Sequence, residues 1–264
     1  MAQRSIREYE GKRIFHNDWR RHFGQFLYAF QAASVASGDE LRALASGDTH
    51  DWLNQVPLVV KPDMVFGRRG LNGLVFHKIN TPGDVTLDDA ARWIDEKRAE
   101  TTTLLSGQSG ILSRFIVEPF LDHDSTTEYY IAAVMGDATD TLSMSVKGGI
   151  DIEENWDHVR QVEIPPTVTA DELTAMIAAA VPDDVADRDR FTLFATDFYR
   201  FFRDQHFTYL EINPFCLDGD QVYLLDLVAK VDDTAGFLMD KRLSLIHISE
   251  PTRPMKESRM ASSA

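Results

Sequence analysis

The 264-residue sequence contains one cysteine, Cys216, so no disulfide bond can form within the chain. This shortage of cysteine is typical of a reducing compartment. Long apolar runs are also missing. None approaches the roughly 18 residues of a membrane-spanning helix, and the charged N-terminus lacks the apolar segment of a signal peptide. We therefore expect a cytoplasmic protein with no membrane association.

Basic side chains are scarce relative to acidic ones. The chain has 27 Lys and Arg against 42 Asp and Glu, which gives a net charge of −15. We expect no nucleic-acid partner, because a nucleic-acid interface needs a basic face. An anionic ligand is still compatible with this balance, since local clusters of Lys and Arg decide whether it binds. The length suits one large domain or two small ones.

Several familiar catalytic patterns are absent as well. The histidines show no metal-ligand spacing, and neither a Ser/His/Asp nor a Cys/His arrangement is evident. The Walker spacing G-x-x-x-x-G-K-[ST] and the Rossmann fingerprint are missing too. What remains is a cationic glycine-bearing loop and an acidic hairpin.

Apolar runs alternate with helical patterns and predict an α+β fold with sheets covered on one face. A short amphipathic helix is expected over residues 3–16, and two more helices within 17–54. Expected strands cover residues 57–62, 74–79, 111–121, 128–135 and 141–146. Further helices are expected at residues 86–105, 169–180 and 187–205.

Residues 208–232 predict a β-hairpin that turns at Asp218-Gly219-Asp220. A two-residue loop at 219–220 places Asn213 opposite Asp226, and Glu211 then shares their sheet face. Three oxygen-bearing side chains on one patch suit a hard cation such as Mg²⁺. A solvated hairpin face is the alternative.

Lys61, Arg68, Arg69 and Gly70 form the strongest cationic cluster of this acidic sequence. A lysine at a strand end acts as a point charge on phosphates, and arginine adds bidentate donors. Glycine lets backbone N–H groups approach an anion closely. An ordinary solvated loop explains the spacing equally well.

An apolar strand ends at Glu118-Pro119-Phe120, where proline cannot donate to a sheet. Backbone polar groups left at such an end suit the hydrogen bonding of a base, although a strand that simply ends has the same pattern. Glu128 either bonds a ribose hydroxyl or merely starts a strand.

Residues 243–264 differ from the rest of the sequence. Their first part, LSLIHISEPTR, is similar to the translation of a transposase adapter used in sequencing libraries, and the remainder shows no periodicity. We expect residues 243–264 to be a non-native, disordered tail. The natural part of this sequence is then expected to end near Arg242, and the natural protein to continue beyond that point with other residues.

Taken together, the stretches LVVKPDMVFGRRG, FIVEPF and TYLEINPF with VYLLDLVAKVD resemble an ATP-grasp module. This module is shared by succinyl-CoA synthetase β subunits and ATP-citrate lyase, and the similarity to ATP-citrate lyase is the closer one. The resemblance implies an ATP-grasp fold over residues 1–242, whose two subdomains grip the nucleotide. Residues 17–109 would form a smaller, inserted, lid-like subdomain, and residues 1–16 with 110–242 the larger one.

The resemblance also implies a role for each motif. The residues expected to hold ATP are Lys61, Arg68, Arg69 and Gly70 at the phosphates, Glu118, Pro119 and Phe120 at the adenine, and Glu128 nearby. Mg²⁺ would bind Asn213 and Asp226. Glu211 and Arg69 would be the catalytic groups, with Glu211 facing the partner histidine that receives the phosphoryl group. Two positions depart from the family pattern, Leu71 and Lys147, where a lysine and a glutamate are usual.

The family reaction phosphorylates that histidine, activates citrate, forms citryl-CoA and cleaves it to acetyl-CoA and oxaloacetate. The histidine and the coenzyme A site are expected on a succinyl-CoA synthetase α-like or citrate synthase-like subunit, or on a missing part, and citrate also binds outside this chain. The chain is thus expected to be an enzyme fragment that is inactive alone. The alternatives are a succinyl-CoA synthetase-type β module acting on another acid, and an inactive nucleotide-binding fragment.

Overall fold

A computed structural model describes residues 3–124, 127–149, 152 and 154–235. The helices in this part are α1 (Glu8–His22), α2 (Gly38–Ala45), α3 (Leu87–Ala99), α4 (Ala170–Ala180) and α5 (Arg188–Asp204). The strands are β1 (Gln3–Ile6), β2 (Ala33–Val35), β3 (Leu58–Pro62), β4 (Thr101–Thr103), β5 (Ser109–Ile111), β6 (Phe115–Pro119), β7 (Tyr129–Val134), β8 (Asp140–Ser145), β9 (Arg160–Ile164), β10 (Phe207–Asp218), β11 (Gln221–Leu224) and β12 (Leu227–Asp232). The predicted α+β class is confirmed.

The larger sheet has seven antiparallel strands in the order β1-β12-β10-β7-β8-β9, with β11 paired to the far end of β10. Leu210 and Ile212 point to one face and are fully buried against α1 and α5. Aromatic rings fill this core, as shown by Phe15 and Phe201, whose centroids are 4.2 Å apart. Each such ring contributes about 1.5–3 kcal/mol through burial. The alternate residues of β10 therefore face the opposite side.

A second sheet, β2-β6-β3, packs against α2 and α3 and has its own core. Thr86 caps α3 as predicted, and Asp89 completes a reciprocal capping box. The two helices approach closely at Gly38, where a Cβ would collide with the carbonyl oxygen of Ala91. The amide of Gly38 also donates to Asp95 at 2.9 Å. Only glycine allows this spacing.

The expected helix over residues 3–16 is wrong at its start. Residues 3–6 form β1, which pairs with β12 from Gln3↔Asp232 to Ile6↔Ala229, and α1 continues to His22. The helical pattern of the following residues hid this four-residue strand. Edge strands this short carry little periodicity of their own.

The expected strand over residues 74–79 is also wrong. Only Phe76 forms strand-like bonds, through two reciprocal 2.9 Å bonds with Val60. A 3₁₀ turn covers Lys78–Asn80, because the side chains of His77 and Asn80 bond the backbone reciprocally. Side-chain to backbone bonds of this kind compete with sheet formation.

The expected tail at residues 243–264 lies outside the described residues.

The predicted hairpin register is confirmed. Asp218 pairs with Gln221, and the same register continues to Ile212↔Leu227 beyond an interruption in the second strand. Within the interruption the amide of Asn213 donates to the carbonyl of Asp226 at 3.0 Å. The carbonyl of Leu225 accepts hydrogen bonds from the side chains of Lys12 and Lys61 instead of from a strand partner.

Among the residues that the structure describes, no helix combines the length and the apolar character that crossing a bilayer would require.

Candidate functional site

A cleft of about 890 Å³ opens between the two sheets. Its walls come from β3, the loop that follows it, the end of β6 and the open face of the larger sheet. The structure brings all of the expected site residues together in this one cleft: Lys61, Arg68, Arg69, Gly70, Glu118, Pro119, Phe120, Glu128, Glu211, Asn213 and Asp226.

A buried group of charges lies beside the cleft. Glu8, in the first turn of α1, contacts the ammonium groups of Lys12 at 2.8 Å and Lys61 at 2.6 Å and the guanidinium of Arg69 at 2.7 Å. The exposed fractions of these four side chains are only 1–6%. Together with Glu118 we call them the charge cluster. Buried charges of this kind need partners, because desolvation is costly.

Glu118 and a backbone carbonyl complete the charge cluster. Lys12 donates to both carboxylate oxygens of Glu118, at 2.7 and 2.9 Å, and Lys61 lies 3.2 Å from the same carboxylate. Both lysines also donate to the carbonyl of Leu225, at 3.2 and 2.7 Å. The charge cluster therefore joins α1, β3, β6 and the hairpin at one point.

The protonation of the charge cluster follows from its geometry. Burial by itself raises the pKa of Glu8, but the charges of Arg69, Lys12 and Lys61 outweigh it and hold that pKa well below its usual range. Burial lowers the pKa of Lys12, and the two carboxylates more than reverse this. Glu8 and Lys12 thus stay charged at neutral pH.

The sequence patterns did not single out Glu8 and Lys12. A signal was present, since both lie on the helical stripe that continues through the buried Phe15 and Trp19. Charged residues on an apolar stripe are rarely buried without partners. Apart from their own i,i+4 contact, their partners lie more than 50 residues away in sequence, which periodicity cannot show.

The cationic loop after β3 carries Arg68 exposed and Arg69 buried. Arg68 has a left-handed backbone with a φ of 59°, and its carbonyl accepts from the amide of Asn72 at 3.0 Å. Arg69 donates to the carbonyl of Pro62 at 3.0 Å and forms an ion pair with Asp226. Arg69 therefore connects this loop directly to the hairpin.

An aromatic wall forms at Phe120. Its ring stacks on His77 with centroids 5.6 Å apart and planes inclined by 18°, and the ammonium of Lys78 lies 5.0 Å from the ring centroid. The amide of Phe120 donates to the carbonyl of Pro57 at 2.7 Å, so this donor is already paired. A planar base has an aromatic surface here to stack on.

Glu128 and the open sheet face complete the cleft. Glu128 lies 2.8 Å from Nε2 of His123. The amide oxygen of Asn213 accepts from the amide of Gly149 at 2.7 Å, and the hydroxyl of Tyr209 donates to Glu211. Within the described ranges no group of three or more His, Cys, Asp or Glu side chains is placed to hold a metal. A cation site here would use the amide oxygen of Asn213 as well as carboxylates.

Residues 2–243 match the sequence model of the ATP-citrate synthase ATP-grasp domain. The fold and the cleft are therefore those of an ATP-grasp domain, a class that binds ATP. The chain belongs to the ATP-citrate synthase (ATP-citrate lyase) family within that class. This confirms the closer of the two resemblances over the succinyl-CoA synthetase-type alternative.

Individual relatives agree with this assignment. The chain is 34% identical over 252 residues to ATP-citrate synthase alpha chain protein 2 of Arabidopsis thaliana, covering 95% of this chain and 56% of that protein. It is 30% identical over 262 residues to human ATP-citrate synthase, covering 95% and 22%.

A solved structure is similar as well. The ATP citrate lyase of Methanothrix soehngenii, solved in complex with citrate and coenzyme A, aligns with a TM-score of 0.79 and 32% identity. The alignment covers 95% of this chain and 56% of that one. The chain thus spans about half the length of the plant and archaeal relatives it matches.

Proposed function

We propose that the cleft binds ATP with Mg²⁺ and delivers the γ-phosphoryl group to a histidine outside this chain. The observation that carries this proposal is the meeting of Lys61, Arg69 and Asp226 in a cleft that also has an aromatic wall at Phe120. Phosphoryl transfer depends mainly on placing charge and holding groups in line, which such a cleft can do.

Lys61 and Arg69 are the proposed phosphate-binding cations. Both are buried yet line the cleft, so bound phosphates would meet them in a partly desolvated place where electrostatic attraction is strong. Arg68 and Gly70 add an exposed guanidinium and a flexible backbone on the same wall. Phosphate oxygens would replace Asp226 as the partner of Arg69.

The oxygen atoms of Asn213 and Asp226 fit Mg²⁺, which prefers carboxylate and carbonyl ligands. Arg69, a cation, balances the Asp226 carboxylate in this structure, and this pairing supports a cation-binding role for Asp226. When bound, Mg²⁺ neutralises phosphate charge and orients the phosphate groups. The chain's own part is to hold Asn213 on β10 and Asp226 in the interruption between β11 and β12 that lies beside it.

Glu211 is proposed to face the incoming histidine, with Tyr209 fixing its carboxylate. The wider reaction is proposed to be ATP-dependent formation of citryl-CoA and its cleavage to acetyl-CoA and oxaloacetate, in the cytoplasm. The histidine and the coenzyme A site would lie on a succinyl-CoA synthetase α-like or citrate synthase-like subunit, and citrate would bind outside this chain. The naming of a Schizosaccharomyces pombe relative as subunit 2 of a probable ATP-citrate synthase supports a multi-subunit arrangement.

The two-subdomain arrangement is part of the same proposal. One core draws on residues between Ala33 and Val117, and the other on residues 14–26 and 131–231. Residues 17–109 as a lid-like unit, and 1–16 with 110–242 as the larger one, agree with this division except at two places: residues 17–26 pack in the larger core, and residues 112–117 pack in the smaller one. The cleft lies where the two cores meet.

Titration of the full chain with ATP tests the proposal. Calorimetry in excess Mg²⁺ should show binding, and replacing Mg²⁺ with EDTA should weaken it by about tenfold or more. Adenosine serves as the control, because it lacks the phosphates and should bind equally under both conditions. No ATP binding, or equal ATP binding with and without Mg²⁺, would contradict the proposed site.

A further inference from the structure

Glu8 lies behind the cleft wall. Its carboxylate contacts Lys61 and Arg69 at 2.6 and 2.7 Å, and both of these cations line the cleft, whereas Glu8 is not among the described residues that do so. It also contacts Lys12 at 2.8 Å, and its side chain is only 2% exposed. Glu8 therefore touches the proposed phosphate-binding groups without reaching the ligand.

We propose that Glu8 is the positioning residue for the two phosphate-binding cations, Lys61 and Arg69. This inference rests on the proposed function of the cleft. Glu8 belongs to α1, whereas Lys61 and Arg69 belong to β3 and the loop that follows it. One carboxylate between two cations fixes their separation and offsets their mutual repulsion in a buried place.

The other carboxylates cannot replace Glu8 in this role. Asp226 pairs with Arg69 but is the proposed ligand of Mg²⁺, so it exchanges partners when the nucleotide binds. Glu118 contacts Lys61 and Lys12 and lines the cleft at the proposed adenine end. Glu8 alone contacts both phosphate-binding cations from within the protein in the described structure.

Electrostatic repulsion alone predicts that removing the charge of Glu8 tightens ATP binding, whereas the positioning role predicts weaker binding. The two explanations can therefore be distinguished by experiment. A negative charge near the phosphates repels them, so its removal would tighten ATP binding if the cations kept their places. Without Glu8, however, Lys61 and Arg69 repel each other in a desolvated site and no buried carboxylate fixes their separation. We infer that the loss of positioning outweighs the relief of repulsion.

The experiment compares ATP and adenosine binding for the full chain and four variants: Glu8→Gln, Glu10→Gln, Lys61→Met, and Glu8→Gln combined with Lys61→Met. Glu8→Gln should weaken ATP binding by about tenfold or more and change adenosine affinity by less than about twofold. Glu10→Gln, in the same helical turn but paired with Arg13 at 2.9 Å, should change neither affinity. Glu8→Gln combined with Lys61→Met should lose less than the product of the single effects, because Glu8 acts through Lys61.

The outcomes separate this inference from the proposed function. If the unaltered chain fails to bind ATP, both are wrong. If it binds ATP and Glu8→Gln binds ATP equally or more tightly, the positioning role alone is wrong. Equal losses for ATP and adenosine would indicate a structural role and overturn it too. If Glu8→Gln does not fold, Glu8→Asp decides the matter, with an ATP-selective loss expected and unchanged ATP affinity contradicting the role.

Discussion

Arg69 and Asp226 form an ion pair although 157 residues separate them in the sequence. Arg69 belongs to the cationic loop after β3, and Asp226 to the interruption between β11 and β12. The proposed phosphate-binding loop and the proposed metal ligand are therefore in direct contact in this structure. The ion pair also neutralises both charges.

Asp226→Asn is predicted to remove the Mg²⁺ dependence of ATP binding. The variant loses a charged oxygen ligand and frees Arg69 for phosphate, so its ATP affinity in EDTA should equal or exceed that of the unaltered chain. Calorimetric titrations with Mg²⁺ and with EDTA measure both effects. Asp218→Asn, at the exposed turn of the same hairpin, is the control and should keep the full dependence. A variant at position 226 that still responds to Mg²⁺ would refute the metal assignment.

Leu71→Lys is predicted to tighten ATP binding several-fold. Leu71 is 49% exposed and lines the cleft beside Gly70, at the position where the family resemblance leads us to expect a lysine. A new ammonium group there can reach phosphate oxygens, whereas adenosine affinity should not change. Val65→Lys is the matched control, since Val65 is 51% exposed on the same loop but is not among the residues that line the cleft. An equal gain at position 65 would mean that only the net charge matters.

Glu211→Gln is predicted to abolish phosphorylation of the partner histidine while ATP affinity stays within about twofold, because Glu211 is assigned to the histidine and not to the nucleotide. The assay follows label from γ-labelled ATP into an acid-labile adduct on the partner subunit. Glu163→Gln is the control on the same sheet, where Glu163 only accepts bonds from Thr139 and Thr141. Normal transfer by the variant at position 211 would remove Glu211 from the catalytic set.

Asp197 is predicted to make stability depend on pH. Burial raises its pKa to about 6, and nearby Arg200 offsets only part of this. The folded state therefore holds a proton that the unfolded state has released between about pH 4 and 6, so the stability contributed by protonated Asp197 is lost as pH rises through its folded pKa. The Tm of Asp197→Asn minus that of the unaltered chain should rise by a few degrees from about pH 4 to about pH 7.

Asp137→Asn is the control for the pH experiment, because Asp137 is exposed in the turn between β7 and β8. Its Tm difference from the unaltered chain should not change with pH. The same flat difference for Asp197→Asn would show that the buried carboxylate does not hold the proton.

The hairpin was predictable because local chemistry determines it. The Gly219-Asp220 loop fixes the register, and side-chain alternation then places Glu211, Asn213 and Asp226 on one face, as the structure shows. The helix starts at Thr86 and Thr169 were equally predictable, because the sequence at each has the pattern of a capping box.

The charge cluster was not predictable because its contacts are distant in sequence. Lys61 is interpretable as a phosphate ligand from its place at a strand end, but nothing local shows that Glu8 lies 2.6 Å away. Likewise, the amide of Phe120 was expected to be left over at a strand end, whereas it pairs with Pro57 in the folded protein. Tertiary hydrogen bonds of this kind leave no pattern in one segment.

A crystal structure of the full chain with Mg²⁺ and a non-hydrolysable ATP analogue tests the central claim most directly. We predict phosphate oxygens within hydrogen-bonding distance of Lys61 and Arg69, the metal on Asn213 and Asp226, and the adenine against Phe120. Density for the nucleotide outside this cleft, or in the cleft with Arg69 still paired to Asp226 and no metal beside it, would contradict the account.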